Sequence, residues 1–344
     1  MSDGTRVYLI TGFLGSGKTT FLNRIIDRFP QDQKLMILMN EFGEVGVDGT
    51  LIEGDQINMM EISRGSIFCV CVKTDFIKGL YELSTGIQPD VLLIESTGVA
   101  NPSDLKKDLQ LPIFKDRFQF REQFCIIDAV HFLDAYEAYA SIEKQITSST
   151  VFVINKTDLA APQTIEEIKK VTRKFHPAPL FFETNYADIP LEKFFGLEKP
   201  RAEVHATTAS GQAAIPVLTE EELDRLIDDI LDSPDLQITP PDRLVSVTYQ
   251  WRGQNLGQIE ALAGSLPPAV VRAKGFVEED SNIYLFSYVM GDWALEKSQI
   301  PHDRIHHKNV VVFIGPPESM PDIEKAAQTG SWSGRGVYQP YSQS

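Results

Sequence analysis

The segment Gly12-Phe13-Leu14-Gly15-Ser16-Gly17-Lys18-Thr19 follows the apolar run Val7-Tyr8-Leu9-Ile10 and precedes Leu22, Ile25, Ile26 and Phe29 at helical spacing. Between a strand and a helix, G-x-x-x-x-G-K-T is a phosphate-binding loop. Its glycines let backbone amides wrap a β-phosphate, the helix N-terminus adds positive potential, and the lysine bridges phosphates. Gly12, Gly15, Ser16, Gly17 and Thr20 are expected to bind a nucleotide. Lys18 and Thr19 are expected to bind it and to act in catalysis, with the Thr19 hydroxyl on Mg²⁺.

Such a loop implies strands that alternate with helices. Short, continuously apolar runs recur at 35–38, 91–94, 124–127, 151–154 and 180–182, as expected of strands buried on both faces. The expected fold is α/β, a P-loop NTPase with a mostly parallel sheet over residues 1–198. From 199 to 216 the composition shifts to Ala, Thr, Ser and Gly without apolar periodicity, which marks a surface connection. A linker over 199–242 carries a bridging helix that opens on the Thr219-x-x-Glu222 capping pattern. Residues 243–330 read as a smaller C-terminal α+β domain, with strands at 244–249, 283–289 and 310–314 and a helix through Leu256, Ile259, Leu262 and Leu266. The Ser-, Gly- and Tyr-rich tail, 331–344, is expected to be loosely held.

A net charge of −16 repels a phosphate backbone, so nucleic acid is not expected as a partner and any nucleotide site must be locally basic. No apolar run reaches membrane-spanning length, and the N-terminus enters a strand without a targeting pattern, so no membrane partner and a cytoplasmic location are expected. Three cysteines, Cys69, Cys71 and Cys125, do not describe a disulfide framework and fit a reducing compartment.

Two further motifs narrow the chemistry. Glu95-Ser96-Thr97-Gly98 ends the apolar run 91–94. A carboxylate there can hold the Mg²⁺ shell or orient a water, and a glycine amide can approach a γ-phosphate closely. Asn155-Lys156-Thr157-Asp158 follows the run 151–154. An aspartate can accept hydrogen bonds from guanine N1–H and the exocyclic amine, a donor pair that adenine lacks, and the lysine stem can cover the base. Asn155, Lys156 and Asp158 are thus assigned to the guanine nucleotide, GTP or GDP.

With these motifs in place, the chain resembles the CobW-type GTPases, relatives of the GTPases that help insert nickel into urease and hydrogenase. The resemblance extends to Asn40-Glu41-Phe42-Gly43-Glu44 with Asp48, similar to the family's first switch, and to 95–102, similar to its second. It also takes in Arg272-Ala273-Lys274-Gly275-Phe276 of the C-terminal domain. The resemblance implies slow GTP hydrolysis, with catalysis by Lys18, Thr19, Glu95 and Gly98 and Mg²⁺ held through Thr19, Glu95 and Asp48. It further implies service as a metallochaperone or cofactor-assembly factor for a client metalloenzyme or a corrinoid-dependent protein; a homodimer is compatible with the sequence.

The metal motif departs from the family's. Where relatives carry Cys-x-Cys-Cys, only Cys69 falls on a family cysteine, while Ile67 and Val70 occupy the other two and Cys71 lies one place beyond. Met39 stands where many relatives have a carboxylate. Two cysteines on an extended segment would share one face, and Glu44 could add an oxygen, giving a candidate Zn²⁺ or Co²⁺ site of Cys69, Cys71 and Glu44. Small core cysteines in an apolar run are the alternative. His302, His306 and His307 read as a solvated loop, and Cys125 as core. A nucleotide-binding module without metal cargo stands as the other reading of the whole chain.

Overall fold

A computed structural model describes residues 4–40, 58–62, 70–96, 102–195, 218–231, 244–253, 255–302, 304–305, 307–328 and 332–338. The strands of the first sheet are β1 (Thr5–Thr11), β2 (Leu35–Asn40), β3 (Asn58–Ile62), β4 (Val91–Glu95), β5 (Phe118–Asp128), β6 (Val151–Asn155) and β7 (Leu180–Glu183). They lie in the order β3-β2-β4-β1-β5-β6-β7, and every pairing is parallel. Parallel neighbours require crossover helices, so both faces of the sheet are covered.

The alternation of side chains along β1 shows how the faces divide. Tyr8 and Ile10 pack with Phe21, Leu22 and Ile25 of α1 (Lys18–Arg28). Val7 and Leu9 face the other way, onto Phe76 and Leu80 of α2 (Val70–Glu82) and Leu105 of α3 (Pro102–Leu109). Every one of these side chains is at most 2% exposed, which explains the unbroken apolar runs in the sequence.

The expected bridging helix is α8 (Glu220–Leu231), after α4 (Phe132–Ala138), α5 (Ala140–Ser148), α6 (Pro162–Phe175) and α7 (Glu192–Phe195). Its capping box forms as read: Thr219 N–H donates to Glu222 Oε2 at 2.8 Å, and Glu222 N–H donates to Thr219 Oγ1 at 3.3 Å. Leu223 and Ile227 bury its apolar stripe against the core beneath α2, and Lys78 Nζ meets Asp224 Oδ1 at 2.6 Å.

The second sheet is antiparallel throughout, in the order β11-β10-β9-β12-β8-β13. Its strands are β8 (Val245–Trp251), β9 (Arg272–Glu279), β10 (Asn282–Val289), β11 (Asp292–Lys297), β12 (Val310–Gly315) and β13 (Trp332–Tyr338), with helices α9 (Gly257–Ser265) and α10 (Met320–Gln328). One face packs on Ile259 and Leu262 of α9 and Ile323 of α10. The opposite face contributes Val271, Phe276, Ile283, Val312 and Ile314 to a core shared with Phe13, Leu14, Ile127 and Phe152 of the first sheet's side. The two sheets therefore meet through a common apolar layer.

Two expectations are corrected. Residues 332–338, expected as part of a loose tail, pair with β8 as an edge strand, because Trp332 packs at ring distances of 6.5 Å from Trp251 and 6.1 Å from Phe313. Cys71, expected on an extended segment, falls in the first turn of α2, whose apolar positions Phe76, Ile77, Leu80 and Tyr81 recur at helical spacing and are buried. Cys69 and Glu44 lie outside the described residues.

Candidate functional site

The carboxyl ends of β1, β4, β5, β6 and β7 open toward one rim of the first sheet, where the chain must leave each strand and where open parallel sheets hold ligands. The loop after β1 takes Gly12, Gly15 and Gly17 at φ values of 143°, 79° and 103°. At Gly17, which caps α1, an added methyl would lie 2.4 Å from Asn155 Nδ2, so this position requires glycine. Lys18 is 6% exposed; its Nζ sits 3.9 Å from Glu95 Oε1 and donates to the Phe13 carbonyl at 3.4 Å.

The hydroxyls of Thr11 and Ser16 are buried and meet no hydrogen-bond partner among the described residues. An orphaned buried hydroxyl is costly unless a ligand or water satisfies it. Together with the three positive-φ glycines and the amides at the start of α1, this donor set fits a polyphosphate.

Gly15, Gly17, Lys18, Thr19, Thr20, Glu95, Asn155, Lys156 and Asp158 line a single cavity of about 630 Å³. Ser16 lies buried behind it, and Gly12 turns the chain out of β1. Gly98 and Asp48 lie outside the described residues. Asn155 lines the cavity while committing both ends of its amide to the protein: Nδ2 donates to the Ser16 carbonyl at 2.9 Å, and Oδ1 accepts from Ala187 N–H at 2.8 Å. It braces the phosphate loop against the turn after β7.

That turn and the end of β5 hold residues that no motif announced. Asn185 Oδ1 accepts from Thr157 Oγ1 at 2.9 Å and from Asp158 N–H at 3.1 Å, fixing the loop that carries Asp158. Tyr186 and Leu159 are 71% and 67% exposed and line the cavity beside Asp158, a pair of apolar surfaces next to a carboxylate. Lys156, at φ 61°, places Nζ 2.6 Å from Asp128 Oδ2.

Asp128 also meets His131 Nδ1 at 3.2 Å, and His131 Nε2 lies 3.1 Å from Asp292 Oδ2 at the start of β11. Burial opposes ionisation of Asp128, but the His131 hydrogen bond and the Lys156 ammonium outweigh it and hold the carboxyl at about 2. The hydrogen bond to Asp128 in turn raises the His131 pKa above its ordinary value, against burial. Cys125 is core: burial pushes its thiol up to about 12. Among the described residues, no group of three or more His, Cys, Asp and Glu side chains is arranged to hold a metal ion, and no helix is long and apolar enough to cross a membrane. His306 lies outside the described residues.

Comparison with known proteins covers the same elements. A family model described as "CobW/HypB/UreG, nucleotide-binding domain" matches residues 6–183. The chain is 35% identical over 167 residues to the zinc chaperone YeiR of Escherichia coli, covering 48% of this chain and 51% of that protein. It is 29% identical over 197 residues to the zinc chaperone YjiA of the same organism, covering 55% and 60%. It is 23% identical over 225 residues to the zinc-regulated GTPase metalloprotein activator 1 of Dictyostelium discoideum, covering 54% and 47%. The chain thus spans about half to three fifths of the length of these relatives. The crystal structure of Zn(II)-bound YjiA aligns over 95% of this chain and 98% of that one, at 20% identity and a TM-score of 0.43.

The matched stretch runs from the first residues of β1 to the end of β7 and so includes the phosphate loop, Glu95 and Asp158. Since it is more than half of the 344 residues, the chain belongs to the CobW/HypB/UreG family, with its nucleotide-binding domain at residues 6–183.

Proposed function

We propose that this chain binds GTP and hydrolyses it slowly to GDP and phosphate, using the cycle to hand a metal ion to a client metalloprotein or to remodel that client. The observation that carries the reading is that Asp158 lines the same cavity as Lys18 and Thr19, together with the exposed side chains of Leu159 and Tyr186. A base held against apolar side chains, with a carboxylate on its N1–H and exocyclic amine edge, is guanine. Lys18 then neutralises the phosphates, and Thr20 and Ser16 add hydroxyls around them. When bound, Mg²⁺ would offset charge on the β- and γ-oxygens, with Thr19, Glu95 and Asp48 as its protein ligands. Gly98 is assigned to the γ-phosphate, and the segments around 40–48 and 95–101 act as its switches.

The cargo proposed is Zn²⁺, supported by the zinc chaperone names of relatives, with Cys69, Cys71 and Glu44 as candidate ligands, although Cys71 lies in the first turn of α2 and not on the extended segment expected to align it with Cys69. Co²⁺ and a corrinoid-dependent client are the variant suggested by the family's name. The second reading, a GTP-dependent switch without its own metal cargo, is favoured by Met39, Ile67 and Val70, apolar residues at positions where the family carries ligands. The proposed setting is the cytoplasm.

Phosphate release from GTP and ATP by the full chain, with and without Lys18→Ala, tests the enzyme reading. GTP-selective release lost in the variant supports it, and a chain that binds GTP but never releases phosphate refutes it. Zn²⁺ and Co²⁺ titration of the GTP-bound chain tests the cargo: one bound ion, lost in Cys69→Ser, supports the carrier, and no binding leaves the switch.

A further inference from the structure

The cavity has a second wall, built by the C-terminal sheet and not by the phosphate loop or the segments that carry Glu95 and Asp158. β9 and β10 pair with Arg272 opposite Val289 and Lys274 opposite Ser287, so these four side chains stand on one face of the antiparallel sheet. All four line the cavity, joined by Lys297 at the end of β11. The face meets the phosphate loop at a defined point: a methyl added to Gly15 would lie 2.5 Å from Val289 Cγ2. Arg272, directly across from Val289, is therefore about one strand spacing, roughly 5 Å, from the residue that touches the bend of the loop.

The contact is anchored on both sides. Phe13 and Leu14, inside the loop, are buried in one core with Val271, Phe276 and Val312 of the C-terminal sheet. The His131 bridge joins Asp128 to Asp292 nearby. In a chain of net charge −16, the cavity gathers Lys18, Lys156, Arg272, Lys274 and Lys297 against Glu95, Asp158 and Glu296. Three of those five cations come from the C-terminal sheet, on a wall that looks onto the phosphate loop. Positive charge converging in a partly closed cleft attracts an anion and strengthens its contacts.

We propose that Arg272 and Lys274 bind the nucleotide's phosphates, and that Arg272 is a catalytic arginine supplied in cis by the C-terminal sheet. This rests on the triphosphate reading of the cavity. During hydrolysis a water oxygen bonds to the γ-phosphorus, and the bond from that phosphorus to the β–γ bridging oxygen breaks. The electron pair leaves with GDP, and the water's protons pass to phosphate and solvent. The guanidinium meets the charge that grows on the bridging and γ-oxygens, a task arginines perform in other phosphoryl-transfer enzymes. Hydrolysis then depends on the two sheets staying docked, which links turnover to whatever a partner does to the C-terminal domain.

The test uses the full chain with Arg272→Ala, Arg272→Lys and Lys274→Ala. Equilibrium binding is measured for a non-hydrolysable GTP analogue, the matching ATP analogue and GMP, together with single-turnover phosphate release. The expected result is a loss of about 1,000-fold in turnover for Arg272→Ala, partial recovery in Arg272→Lys, and roughly tenfold weaker triphosphate binding in Lys274→Ala. GMP affinity stays unchanged, which a merely unfolded or undocked variant would not show. Triphosphate binding and turnover within about twofold of the parent in all three variants would overturn the proposal. If the parent prefers ATP, the GTP reading fails, while the same losses measured on ATP still support the arginine's role.

Discussion

At the scale of single residues, the site is a set of side chains whose geometry admits few replacements. Gly15 combines φ 79° with a contact that leaves no room for a methyl beside Val289. Gly15→Ala is expected to lower both the melting temperature and triphosphate affinity, the latter by tenfold or more. A calorimetric melt and nucleotide titration check this, and unchanged values in both would contradict it. The Asp128 carboxyl, held at about 2 against an ordinary 3.8, contributes stability that is complete above pH 3.8 and lost as pH falls toward 2, roughly 2 kcal/mol at most. His131 has the opposite sign. With its folded pKa raised above 6.5, its contribution is fully present below pH 6.5 and disappears as pH rises through the folded value. The stability gap between the parent and His131→Gln should therefore be widest below pH 6.5 and narrow above it; a gap independent of pH would contradict the ion-pair account.

The residues that the motifs mark, Lys18, Thr19, Glu95 and Asp158, each lie at a strand end or shortly after one, so a local pattern marks them. Asn185, Tyr186, Asp128 and His131 were not legible for the converse reason. Asn185 meets Asp158 from 27 residues away, and Lys156 reaches Asp128 across 28, so their roles arise only when β5, β6 and β7 lie side by side. Asn155 was legible as a member of the motif but not as the brace between Ser16 and Ala187, contacts 139 and 32 residues distant.

Among the elements, what the sequence revealed followed burial. β1, β2, β4, β5 and β6 carry runs of residues buried on both faces, and the capping box marked the start of α8. β3 was missed because Asn58-Met59-Met60-Glu61-Ile62 lacks a continuous apolar or alternating pattern. β11, with burial intermediate or exposed along its length, is an edge strand that exposes Trp293 to 40%. β13 was hidden by glycines at 334 and 336, where its pairing with β8 shifts register. Its position gives a prediction: truncation after residue 330 strips one edge of β8 and uncovers Trp251. The melting temperature should fall by several degrees; an unchanged melt by circular dichroism would show the strand to be dispensable. Within the first sheet, Phe21→Ala removes a fully buried ring 5.1 Å from Phe124, and a loss of about 3–5 kcal/mol in chemical denaturation is expected.

For the whole molecule, the net charge of −16 and the basic lining of the cavity are two parts of one arrangement, in which cations are scarce overall and concentrated where a polyphosphate fits. A shared apolar layer lets one sheet present the phosphate loop and the other close over it. This joint architecture could not be read from the sequence, because Arg272-Ala273-Lys274 carries no local sign that it faces Gly15. The central claim is that this cavity selects a guanine nucleotide through Asp158 and hydrolyses it. The most direct measurement is phosphate release from GTP, ATP and xanthosine triphosphate by the parent and by Asp158→Asn. An asparagine amide can donate to the 2-oxo group of xanthine but cannot accept from both guanine donors. The account predicts that the parent turns over GTP alone and that Asp158→Asn loses GTP by about 100-fold or more while gaining xanthosine triphosphate. Equal turnover of GTP in the two proteins, or ATP turnover by the parent, would contradict it.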